Sequence, residues 1–68
     1  MRMLRLFYVQ IRRGGFSHPA PWGEKSSPFH TLQGAKDHVR GCQELADHQN
    51  CVIDYIISDE TGNIVEQG

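Results

Sequence analysis

LQGAKDHVRGCQELAD, residues 32–47, reads as one amphipathic helix, and the fold follows from what flanks it. At about 3.6 residues per turn, Leu32, Ala35, Val39, Cys42 and Ala46 gather within about 80° of arc. His38 and Leu45 lie at a margin of that stripe. Gln33, Asp37, Arg40, Glu44 and Asp47 form the opposite, solvated side. Thr31 stands where an N-cap belongs, its hydroxyl able to accept an early backbone N–H. Position N3 is Gly34, so no Glu or Gln reaches back and there is no capping box. The stripe is narrow and its side chains are small. Gly34 and Gly41 each weaken the helix by up to about 1 kcal/mol relative to Ala. Such a helix depends on what it packs against, and two glycines seven apart suit a close approach of backbones.

Upstream, residues 4–12 (LRLFYVQIR) alternate with a period of two. Phe7, Val9 and Ile11 share one face; Leu4, Leu6, Tyr8, Gln10 and Arg12 share the other. Aromatic and β-branched residues dominate, which is the pattern of a strand. Downstream, Cys51–Ser58 alternates in the same way, with Ile53, Tyr55 and Ile57 on one side. Asp59-Glu60-Thr61-Gly62-Asn63 is a turn, with Gly62 supplying the positive φ of a bulged hairpin. Ile64 and Val65 open a short third strand. The order is β-α-β-β, which predicts a two-layer α+β domain with one helix packed on a small three-stranded, mainly antiparallel sheet.

Between the first strand and the helix lies a loop, residues 14–28, with three Pro, three Gly and three Ser. Pro19, Pro21 and Pro28 exclude a helix there. A short edge strand at Phe16 and Ser17 is the most regular structure it admits. Loops this long are uncommon in compact domains and are usually functional or mobile. This one holds the chain's single Trp, Trp22.

The 68 residues make one domain, 1–68, with 38% apolar and 22% charged residues. Two cysteines are too few for a disulfide scaffold. No apolar run is long enough to cross a bilayer, and no secretory leader is evident, which points to a cytoplasmic protein without a membrane partner. A chain this short buries only about 60% of its unfolded surface, which leaves little room for a deep substrate cavity. A surface that grips another macromolecule is the easier use of it, so no enzymatic activity and no cofactor are expected.

Charge is distributed unevenly. Residues 1–35 carry a net charge of +4, residues 41–68 carry −6, and the whole chain −1. A dipolar surface favours oriented docking onto a charged partner, or self-association. Aromatic and Arg side chains dominate interface hot spots. Arg12, Arg13, Phe16 and Trp22 are therefore the expected anchors, with Asp59 and Glu60 as an acidic contact. Phe29, just before the helix, is expected in the core, and Trp22 is equally able to fold back and cap it. The expected partner is another protein or a ribonucleoprotein complex, engaged by steric occlusion. A homodimer through a free strand edge is also open.

Two other chemistries compete. Arg5, Tyr8, Arg12 and Arg13 on one strand suggest a nucleic-acid platform, although the chain as a whole is slightly acidic. His38, Cys42, His48 and Cys51 form H-x3-C-x5-H-x2-C, four permitted zinc ligands in a spacing that fits none of the usual finger or ribbon patterns. Cys42 falls in the apolar stripe, where a free thiol serves as a small hydrophobe. No metal is expected there, and a zinc-supported domain stands as the second alternative. A Cys42–Cys51 bridge from helix end to strand start is another option. The nearest Cys–His pair, His38 with Cys42, has no acidic orienter beside it.

Phe29-His30-Thr31-Leu32 with Ala35, and Asp59-Glu60-Thr61-Gly62, resemble the helix start and hairpin of very small β-α-β-β proteins of phages and other mobile elements. The chain looks like anti-CRISPR proteins and small phage inhibitors of host polymerase over residues 29–66. These motifs describe a helix start and a turn, and they carry over no binding residues. The resemblance implies a stoichiometric inhibitor that blocks a host machine by surface contact.

Overall fold

The computed structural model describes residues 5–68 apart from Phe16 and Pro19. It holds β1 (Phe7–Arg13), α1 (Leu32–His48), β2 (Ile53–Asp59) and β3 (Ile64–Gln67) in the expected β-α-β-β order. The sheet is antiparallel with strand order β1-β2-β3, and α1 packs on one side of it. The expected edge strand at Phe16 and Ser17 falls partly on Phe16, which lies outside the described residues, and Ser17 is in a bend.

Register decides the two faces. β1 pairs with β2 as Phe7↔Asp59, Val9↔Ile57, Ile11↔Tyr55 and Arg13↔Ile53, alternating with Tyr8↔Ser58, Gln10↔Ile56 and Arg12↔Asp54. Cross-strand partners share a face. The first set, led by Phe7, Val9 and Ile57, meets Ala35 and Val39 of α1 to form the core. Ile11, Phe29, Leu32 and Tyr55 pack around it. Large side chains rise from the sheet and small ones descend from the helix. The narrow apolar stripe of α1 fits because the sheet supplies the bulk.

Thr31 caps the helix, its Oγ1 accepting the Gly34 N–H at 3.0 Å. At the other end Asn50 adopts a left-handed conformation, φ 55°. Cys51 N–H then bonds the Ala46 carbonyl at 2.8 Å, and Asn50 N–H bonds that of Asp47 at 3.1 Å. These two bonds are a Schellman closure, which turns the chain back toward the sheet. A Cβ on Gly34 would sit 3.1 Å from Thr31 Oγ1, a tight contact with the capping hydroxyl, and 3.6 Å from the Phe29 ring, an ordinary one. The expectation for Gly41 fails: a Cβ there meets nothing within 4 Å, because this part of the helix faces solvent.

β2 and β3 are joined by the expected turn. Gly62 has φ 91°, and a bulge interrupts the pairing between Ile57↔Glu66 and Ser58↔Ile64. Asp59 Oδ1 accepts the Thr61 hydroxyl at 2.6 Å, the Thr61 N–H at 2.9 Å and the Asn63 N–H at 3.1 Å. Asp59 is thereby built into the turn. Its carboxyl is held below its ordinary pKa, chiefly by the Thr61 hydroxyl, against a desolvation that raises it.

The second half of the proline-rich loop is ordered along the outer edge of β1. Gly23 N–H bonds the Ile11 carbonyl at 3.0 Å, Ser26 N–H bonds that of Val9 at 2.9 Å, and Phe29 exchanges both backbone bonds with Phe7 at 2.8 Å. Ser26 Oγ accepts the Val9 N–H at 3.0 Å. Residues 23–29 thus form a strap that bonds the outer edge of β1 at Phe7, Val9 and Ile11, with Pro21 just before it and Pro28 within it, neither able to donate to a ladder.

Candidate binding face

The face of the sheet turned away from α1 carries Tyr8, Gln10 and Arg12 from β1, Asp54, Ile56 and Ser58 from β2, and Ile64 and Gln67 from β3. Most are half-buried or exposed; Ser58, small and set between Tyr8 and Ile64, is buried. Among the described residues no helix or strand covers this face.

Its fixed point is Arg12. Register places it opposite Asp54, and Arg12 Nε donates to Asp54 Oδ2 at 3.1 Å. The guanidinium also lies 4.1 Å from the centre of the Trp22 ring. Trp22 arrives there because the next residue, Gly23, is bonded to Ile11. A Cβ on Gly23 would sit 3.0 Å from the Ile11 oxygen, tighter than an ordinary contact, so this close approach favours glycine. The ion pair is part-exposed, 26% for Arg12 and 35% for Asp54. Such pairs stabilise by about 1 kcal/mol at most, and an exposed cation–aromatic stack by about 0.5–1 kcal/mol. The main effect is to hold the guanidinium plane in one orientation. Arg12, Trp22, Asp54, Tyr55, Gln67 and Gly68 enclose a shallow cavity of about 250 Å³ beside it.

Along the same face, Lys25 Nζ lies 5.6 Å from the Tyr8 ring, and Gln10 Nε2 donates to the Gly23 carbonyl at 3.1 Å. The proline-rich loop therefore supplies two of the four partners in the face's cation–aromatic pairs, Trp22 and Lys25.

The structure separates the other expected anchors. Arg13 is exposed and, opposite Ile53, belongs to the helix-side set. Asp59 and Glu60 stand at the far end of the sheet, where Glu60 Oε2 accepts the Leu6 N–H at 3.1 Å. Phe16 lies outside the described residues. Of the proposed nucleic-acid set, Tyr8 and Arg12 share the bare face, Arg13 falls on the opposite one, and Arg5 stacks on Phe7 at 5.6 Å. Sequence reasoning missed Asp54, Lys25 and Gln10. Asp54 was legible only through the strand register, and Lys25 only through the strap.

For metal chemistry, Cys42 Sγ and His38 Nε2 are 3.8 Å apart. Among the described residues no group of three or more His, Cys, Asp or Glu is gathered that could hold an ion. Cys42 and Cys51 are free thiols. Among the described residues no helix is long and apolar enough to cross a membrane. In comparison with known proteins, no family model matches the chain, and no curated protein or solved structure shows a significant match.

Proposed function

We propose that the chain is a small, non-enzymatic protein-binding module that docks through the sheet face its helix leaves bare. The observation that carries this is the bracing of Arg12 between Trp22 and Asp54 on that face. An Arg and a Trp fixed before contact lose little entropy when a partner covers them, which is how interface hot spots are built. In a domain this small, occupying a partner's surface is the direct route to an effect. The resemblance to phage inhibitors is in keeping with stoichiometric steric occlusion of a host machine.

The test is affinity capture from a bacterial lysate on the immobilised chain, with and without nuclease, followed by mass spectrometry. One protein captured equally in both arms, and lost with Trp22→Ala, supports the proposal. Multiple turnover of a small molecule by the purified chain overturns it.

A nucleic-acid reading draws on the two cation–aromatic pairs that share this face, Arg12 with Trp22 and Lys25 with Tyr8. Each ring already has a cation against it, so a stacking base has to displace one. Binding of RNA or DNA that falls steeply between low and moderate salt favours that reading; no binding at low salt removes it.

A further inference from the structure

A second feature lies on the opposite side of the sheet, where the C-terminal turns of α1 pass over the end of β1. Two adjoining cavities of about 290 Å³ and 240 Å³ open there and share Arg13 and Cys51. Ile11, Ile53 and Ala46 line the larger, and Cys42 and Cys51 present half-buried free thiols to it. Leu45, 64% exposed, forms part of its lip. The cavity arises because α1 offers only Ala46 and Cys42 at this end, too small to fill the space above Ile11 and Ile53. Arg13 is the single charged residue lining these two cavities; Asp47 lines a neighbouring cavity of about 290 Å³ that shares Ala46, Cys51 and Ile53 with the larger. Among the described residues Arg13 has no salt-bridge partner; the paired cations are Arg12 and Lys36. An apolar trough with one guanidinium and no carboxylate in its own lining complements a ligand that is apolar along its length and anionic at one end. The volume is near the lower end for small-ligand pockets, about 300–1,000 Å³, which excludes a long chain.

We infer that this trough binds a medium-chain alkyl carboxylate, with the chain laid over Ile11, Ile53 and Ala46 and the head group on Arg13. The inference is independent of the bare face, from which Arg13 points away.

The two thiols make the test direct, because a seated chain covers them. The full chain is titrated with hexanoate, octanoate and 1-octanol below their aggregation limits. Alkylation of Cys42 and Cys51 by iodoacetamide is followed by peptide mass spectrometry. Octanoate is expected to slow both thiols. Each methylene added between hexanoate and octanoate should tighten protection about fourfold. Octanoate should protect at about fivefold lower concentration than octanol, the worth of one exposed ion pair. Arg13→Gln should remove that advantage and leave octanol unchanged. Leu45→Glu, at an exposed position that the fold tolerates, should weaken octanoate selectively. Alkylation unaffected by octanoate, or octanol protecting as well as octanoate in the unchanged protein, overturns the inference.

Discussion

The two faces of this sheet are made by alternate residues of the same three strands, and they do different work. On one face Phe7, Val9 and Ile57 close against Ala35 and Val39, and each of these is at most 6% exposed. On the other, Tyr8, Arg12, Asp54 and Ile56 stay half-buried, and among the described residues it is the proline-rich loop, through Trp22 and Lys25, that lies beside them. The first face holds the molecule together through apolar burial. The second spends its side chains on polar and cation–aromatic contacts that add little stability but fix orientation. With one helix available, three strands can have only one of their faces covered by it. The bare face is therefore the one we propose a partner covers.

Neighbouring isoleucines give the sharpest way to break this comparison. Ile57 is fully buried on the helix side, whereas Ile56 faces the bare side. Ile57→Ala should cost about 2–5 kcal/mol, a large share of a small domain's stability, read as the urea midpoint. Ile56→Ala should cost less than half as much. Equal costs mean that the bare face holds a second core.

The strap is the next test, because it serves both faces. Gly23→Ala drives a Cβ against the Ile11 carbonyl, and should cost about 1 kcal/mol. It should also loosen Trp22 from Arg12. Trp22 is the chain's single Trp, so its fluorescence should shift to longer wavelength. An unchanged spectrum separates the strap from the bracing of Arg12.

Asp59 gives a pH test on the helix-side register. Its carboxyl pKa is lowered in the folded chain, first by the Thr61 hydroxyl and then by the N–H groups of Thr61 and Asn63 and the charge of Arg5. A lowered folded pKa adds stability above the unfolded value, about 3.9, and that stability is lost as pH falls through the folded pKa. Urea midpoints should therefore drop below about pH 4. Asp59→Asn should flatten that limb while leaving the bare face intact. An acid limb unchanged in Asp59→Asn assigns it to other carboxylates.

How much of this was legible in the sequence depends on range. Helix and strands were legible because periods of 3.6 and 2 are local, and Thr31 and Gly62 are punctuation that acts within a few residues. Phe29, expected in the core, packs half-buried against its margin. The strap was not legible. Pro21 and Pro28 read as breakers, yet Gly23, Ser26 and Phe29 bond to β1 at every third position, a spacing that no strand template contains. Arg12 and Arg13 were grouped as one anchor although alternation already sends them to opposite faces. The pairing of Arg12 with Asp54 spans 42 residues and needs the β1–β2 register, which neither segment encodes alone. The trough over Ile11 depends on how far small helix residues stand from the sheet, a distance that composition does not contain.

Trp22→Ala should have the smallest effect on stability, under about 1 kcal/mol, because its stack on Arg12 is at the surface. That same change should have a large effect on binding, and this contrast carries the most direct measurement. Two double variants are compared for partner capture and thermal midpoint side by side: Arg12→Ala with Trp22→Ala on the bare face, and Asp37→Ala with Arg40→Ala on the solvated side of α1. The account predicts that the first pair loses capture by at least about tenfold with a midpoint within a few degrees of the parent, while the second keeps both. Equal capture by the two pairs, or a loss in the first that only tracks unfolding, would contradict it.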